Sequence, residues 1–167
     1  MAKEKGEMEA TSEEVDAIKA LMSSKNEVVL LTHNMINREL CGEIEKLEEG
    51  YAELVLQTAR EMLADDVGLI HGGFIFSAAD FVAMAVVNEP NVVLVASNAQ
   101  FLSPVKLGDT VRFTAKLRHR DGRKRNVLVR AFVHDIKVFE GEFKTVITEK
   151  HILKLKLAKD MQEESLA

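Results

Sequence analysis

From position 74 to 87 the chain runs Phe-Ile-Phe-Ser-Ala-Ala-Asp-Phe-Val-Ala-Met-Ala-Val-Val, a stretch that is apolar around nearly the whole circumference of a helix. A helix of that kind is buried on all sides. It opens on His71-Gly72-Gly73, and Asn88-Glu89-Pro90-Asn91 stops it with strong breakers. Elsewhere the pattern is β-like. Positions 43–47 and 52–58 flank the turn Glu48-Glu49-Gly50 as a hairpin would. Further strands are predicted over 92–101, 110–120, 124–134 and 137–148, with Ser103-Pro104, Leu107-Gly108-Asp109 and Asp121-Gly122 marking the turns. The order is hairpin, buried helix, antiparallel meander. That predicts an α+β domain in which an antiparallel sheet wraps a long central helix over about 71–88.

The ends are patterned differently. Residues 1–11 mix Lys, Glu and small residues without a period and read as a flexible tail. Residues 12–40 read as an N-terminal helix and its connection. Thr11 with Glu14 fits a capping box, and Val15, Ile18 and Met22 recur at helical spacing. Positions 27–31 fit a strand or a second short helix equally well. The main domain is placed at 41–149 and a C-terminal extension at 150–167, where 152–157 alternates in part and would prolong the last strand or dock as a tail.

Composition narrows the function. The chain has 167 residues, 47% hydrophobic and 29% charged, a balance typical of one globular domain. Its net charge of −5 argues against a general nucleic-acid binder. No apolar run approaches the ~18 residues of a membrane span. The charged N-terminus lacks a secretory pattern, and the single Cys41 excludes an internal disulfide. A cytoplasmic protein is expected, with no membrane partner.

Asp80 is the one charge in the apolar helix. A buried carboxylate must be paired, hydrogen-bonded or protonated, because losing its hydration costs several kcal/mol. Either Ser77, a backbone group, a water or an exposed rim satisfies it, or it is a general base with an environment-shifted pKa. Gly72 and Gly73 let a ligand approach the backbone, and the first helix amides point at whatever lies in front of them. That suits a carbonyl oxygen gaining negative charge. Gly72 and Asp80 are eight residues apart, about 12 Å along one helix at 1.5 Å per residue. Two antiparallel copies can bring one chain's Asp80 to the other's Gly72, which predicts a two-fold dimer with sites at its interface.

His71-Gly72-Gly73-x-x-Phe76-x-x-x-Asp80 resembles the helix start of hotdog-fold acyl-CoA thioesterases of the PaaI type. The run Asn98-Ala99-Gln100-Phe101-Leu102-Ser103-Pro104-Val105-Lys106-Leu107-Gly108-Asp109 resembles the strand and turn that follow in that family. The likeness spans about residues 40–149. It implies the hotdog fold, a homodimer arranged as a dimer of dimers, and hydrolysis of acyl-CoA thioesters without a metal or cofactor beyond the coenzyme A of the substrate. It also implies that Gly72 offers its amide to the thioester carbonyl, that Asp80 of the facing chain activates water or attacks directly, and that His71 shapes the turn. Gly73, Phe76 and Asn98 would line the substrate. Asp65 stands where many members carry a substrate-contacting asparagine, and Leu94 where some carry a serine. A FapR-type branch of the same fold only senses malonyl-CoA, so a non-catalytic acyl-CoA binder is the alternative. Residues 1–40 are too short and too poorly patterned for that branch's winged DNA-binding domain.

Between Arg112 and Arg130 lie eight cations and one anion, Asp121. Arg112, Lys116, Arg118 and Arg120 share even parity and are expected on one strand face. They form either a solvated outer face or, with Arg123, Lys124 and Arg125, a contact for coenzyme A phosphates. His33, His119, His134, His151 and Cys41 show no metal-ligand spacing, so no metal site is expected.

Overall fold

A computed structural model describes Thr11, Glu13, Asp16 and residues 28–155. A short helix α1 (Arg38–Cys41) precedes the hairpin β1 (Glu43–Glu48) and β2 (Tyr51–Gln57). A 3-10 turn (Arg60–Met62) leads to the long helix α2 (Gly72–Val87). Then come β3 (Val92–Phe101), β4 (Thr110–Asp121), β5 (Lys124–Val133) and β6 (Ile136–Ile147). The strands make one antiparallel six-stranded sheet in the order β1-β2-β4-β5-β6-β3, so β1 and β3 are its edges. The pattern predicts this α+β arrangement of an antiparallel sheet wrapped on a long helix, and it is the hotdog fold that the resemblance implies.

The sheet closes on α2 because its inward positions are apolar at period two. Leu54, Leu56, Val111, Phe113, Val127, Val129, Phe139 and Phe143 are all buried against Ile75, Ala78, Phe81, Val82 and Met84. Each large side chain so buried stabilises by about 1.5–3 kcal/mol, and the helix alanines let the strands approach closely. Register shifts at Ile44/Lys46, Leu94/Ala96, Leu117/His119 and Ala131/Phe132 bend the sheet around the helix, since a bulge increases local twist. The helix ends where Asn88 turns left-handed, with φ 52°. Its side chain accepts from the Leu31 amide and donates to the Val29 carbonyl, tying the N-terminal connection to the helix end.

Some expectations change. Residues 28–31 form neither strand nor helix, and residues 152–155 form a helical turn rather than a continuation of β6. Its first turn closes by bonds from the Lys154 and Leu155 amides to the His151 carbonyl. The bulge after Leu117 puts His119 opposite Asn126 and Arg120 opposite Arg125. Arg120 therefore leaves the face shared by Arg112 and Lys116, and the even-parity stripe is broken. Glu13 and Asp16 are helical. The rest of the capping-box helix (Glu14, Val15, Ile18, Met22), the tail before Thr11 and positions 156–167 lie outside the described residues. Among the described residues no helix is long and apolar enough to cross a membrane.

Candidate active site at the start of the buried helix

His71 is the N-cap of α2; its amide donates to the Met62 carbonyl, and its own carbonyl accepts from Phe74. Its side chain makes no capping hydrogen bond. The amides of Gly72 and Gly73 donate to nothing among the described residues, which leaves the positive end of the helix dipole open. Both glycines lie close under a neighbouring ring. A Cβ on Gly73 would come within 2.9 Å of His71 Nε2, and one on Gly72 within 3.2 Å of Phe101 Cε1. The imidazole thus folds over Gly73, while the Phe101 ring, itself 56% exposed, covers Gly72.

Two turns into the helix, Asp80 has one carboxylate oxygen, Oδ1, buried without a hydrogen-bond partner. Ser77 does not satisfy it, because the Ser77 hydroxyl lies 3.2 Å from Cys41 Sγ instead. No described cation pairs with it. Desolvation by burial therefore raises its pKa to about 6. One helical turn before it, Phe76 packs on Phe143 of β6 with ring centroids 5.5 Å apart. Positions four apart share a helix face, so Asp80 lies toward the β6–β3 side, where β3 is the open edge.

Beside Gly72 a cavity of about 330 Å³ is lined by Leu69, Ile75, Phe101, Leu102, Pro104 and Val138 among others. A second, of about 670 Å³, shares the Leu69, Ser103, Pro104, Val105 and Val138 walls and continues past Val67 and Ile136. Together they form an apolar groove that begins at the free helix amides and suits an apolar chain.

The other candidates fall in different places. Asp65 Oδ1 accepts from the amides of Val67, Gly68 and Leu69 at 3.0–3.1 Å, and those bonds, Leu69's foremost, hold its pKa below the usual value. It organises its own loop, whose Gly68 and Leu69 line the groove. Asn98 pairs with Glu142, out of phase with Phe143 and Gly141 that face the helix, so it points to the outer sheet face. Arg123, Lys124 and Arg125 sit at the β4–β5 turn. Arg125 is level with Thr145, whereas the Phe101 end is level with Phe139 and Ala131. Six residues along a strand make about 20 Å, so within one chain the cations do not reach Gly72. Cys41 is buried beside Ser77. No group of three His, Cys, Asp or Glu able to hold a metal occurs among the described residues. The sequence reading missed Phe101 as the cover of Gly72; the only signal was an aromatic ending the strand before Ser103-Pro104.

Comparison with known proteins agrees with this layout. The thioesterase superfamily profile matches residues 67–139. The structure is similar to Cj0977, a sigma28-regulated virulence protein of Campylobacter jejuni, with a TM-score of 0.72 and 41% identity over 74% of this chain and 95% of that one. The uncharacterized protein PH1136 of Pyrococcus horikoshii gives a TM-score of 0.74 and 43% identity over 75% and 97%. PaaI of Escherichia coli, from the phenylacetic acid degradation operon, shares the fold at a TM-score of 0.63 and 23% identity, covering 81% and 94%. Among curated sequences, 115 residues are 55% identical to part of a methylthioribose-1-phosphate isomerase of Aquifex aeolicus, covering 69% of this chain and 25% of that protein. The transcription factor FapR of Caldanaerobacter subterraneus is 27% identical over 121 residues, which cover 72% of this chain and 60% of that one. The chain thus spans a quarter of the first relative's length and under two thirds of the second's. The lone helix carboxylate, the open amides before it, the wrapped sheet and these relatives together mean that the chain belongs to the hotdog-fold thioesterase superfamily.

Proposed function

We propose that the protein is an acyl-CoA thioesterase whose site is completed by a second copy. In this reading the Gly72 amide of one copy polarises the thioester carbonyl, and Asp80 of the other takes a proton from the attacking water. The C–S bond then breaks and the thiolate of coenzyme A leaves with a proton. Direct attack by Asp80, giving an anhydride that water cleaves, uses the same two groups. Coenzyme A enters as part of the substrate, and the reading calls for no resident metal or cofactor.

The observation that carries it is the half-buried carboxylate of Asp80, whose Oδ1 is buried without a hydrogen-bond partner. With a pKa of about 6 it is mostly ionised at neutral pH yet basic enough to accept a proton. Two features support the second copy. Gly72 and Asp80 ride on one continuous helix about 12 Å apart, too far to meet at one carbon. The ten-residue edge strand β3 also offers an unpaired ladder, next to exposed Phe101 and Leu102. Pairing there gives a homodimer, which a further contact turns into a dimer of dimers.

A panel of acyl-CoAs assayed with wild type, Asp80→Ala and Asp80→Asn tests the reading. Loss of a general base is expected to lower kcat by about 10²–10⁴. If no substrate separates the folded variants from wild type, the catalytic claim is wrong. The second reading, a non-catalytic acyl-CoA sensor, is favoured by the FapR relatives and by the commitment of Asp65 to its own loop. It predicts that acyl-CoA raises the Tm and is recovered intact.

A further inference from the structure

At the far end of the sheet from Gly72, a cavity of about 290 Å³ is walled by His119, Asp121, Lys124, Arg125, Lys144 and Thr145, with Asn126 and the apolar Val95 and Val146. We propose that it is a binding site for a phosphate ester. Three observations converge on it.

First, the basic strands sort their charges. Arg112, Arg120 and Arg130 are each held by a glutamate (Glu45, Glu49 and Glu140), and Lys116 lies over the Tyr51 ring. Lys124, Arg125 and Lys144, like Arg118 and Arg123 outside the cavity, form no ion pair among the described residues, and these three line it together. Asp121 offsets one charge and leaves an excess of two. In a chain of net charge −5 that is a local reversal of sign, which draws anions.

Second, the donors are arranged. Arg125 Nη1 donates to the carbonyls of Gly122 (2.7 Å) and Lys124 (2.9 Å), so its guanidinium is fixed at the turn with Nη2 and Nε left over. A held guanidinium and two ammonium groups match a phosphate's oxygens. Third, the cavity walls contain unmet hydrogen-bonding capacity. Thr145 is 1% exposed and its Oγ1 has no partner, so its hydroxyl proton is free to be donated.

Phosphate of this kind has two sources, the nucleotide end of coenzyme A or a separate nucleotide. The first rests on the two-copy reading above. Antiparallel pairing along β3 would bring the Leu94 end of one copy, level with Arg125, to the Phe101 end of the other. The cavity of one chain would then lie on the same side as the Gly72 of its partner.

Titration calorimetry of the full chain with coenzyme A, adenosine 3′,5′-bisphosphate and inorganic phosphate tests the site without requiring catalysis. The two nucleotides are expected to bind, more weakly as salt rises, and Lys124→Gln/Lys144→Gln is expected to lose at least tenfold in affinity with an unchanged Tm. Equal affinity in variant and wild type, or no binding of either nucleotide to wild type, overturns the proposal. Displacement of coenzyme A by the bisphosphate assigns the site to the substrate's nucleotide end; simultaneous binding assigns it to a separate ligand. If acyl-CoA turns out not to be hydrolysed, these binding results stand or fall on their own.

Discussion

Replacing Asp80 by asparagine removes a half-buried charge while keeping the side chain's shape. Burial lifts the Asp80 carboxyl from 3.8 to about 6, a difference of about 2, worth about 3 kcal/mol at 1.36 kcal/mol per pH unit. The sign follows from proton counting. Between about pH 4 and 6 the folded chain holds a proton that the unfolded chain has released, so stability falls as pH rises through that window. Above pH 6 the fold carries an ionised, poorly hydrated carboxylate and the full cost. Asparagine cannot ionise and escapes it. The two proteins are therefore expected to be about equally stable at pH 4, with Asp80→Asn ahead by up to about 3 kcal/mol at pH 8 while hydrolysis is lost. Urea unfolding from pH 4 to 8 at one fixed chain concentration measures this directly, because every other titrating group cancels in the difference. A stability difference that stays flat across the range would show that Asp80 is hydrated or paired, and the assignment of a strained general base would fail with it.

Two further outcomes are expected elsewhere. Gly141→Ala places a Cβ 2.9 Å from Phe143 Cε2 and 3.0 Å from Phe139 Cζ, two fully buried rings that cannot move aside, so the urea midpoint should drop by an amount worth about 1–3 kcal/mol. Asp65→Ala removes the acceptor of three loop amides, and hydrogen exchange at Val67, Gly68 and Leu69 should speed at least tenfold while α2 is unaffected. In wild type the same loop order is expected to fade as acid protonates Asp65, below the usual carboxylate range.

The large elements were legible because one physical rule governs each. An apolar helix had to be covered, and strands of period two bounded by Gly, Pro and Asp turns were the material to cover it. Asp80 stood out for the same reason, as a charge where the pattern allowed none. What stayed hidden depends on contacts between distant residues. The extra residue after Leu117 leaves no trace in composition, yet it turns Arg120 to the other face. Ser77 and Cys41 are 36 positions apart, so nothing local showed that the serine hydroxyl was already engaged. The short α1 is a single turn capped by Asn37, below the length at which periodicity speaks. The three loop amides that Asp65 accepts were hidden because loop hydrogen bonding is invisible in a motif. The face of the sheet that Asn98 serves was hidden as well, because a resemblance carries position along the strand but not the side of the sheet.

Gly72 and Asp80 belong to a single sixteen-residue rod, whereas most of the groove walls, Ile75 of the helix apart, come from β3, β6 and the loops around Pro104. This separates two inheritances. The spacing of the reactive groups is fixed by helical rise and is indifferent to what the surrounding strands carry. Under the proposed function, exchanging Leu102, Val138 or Ile136 for bulkier or smaller neighbours would retailor which acyl chain is welcomed without disturbing the chemistry performed on it.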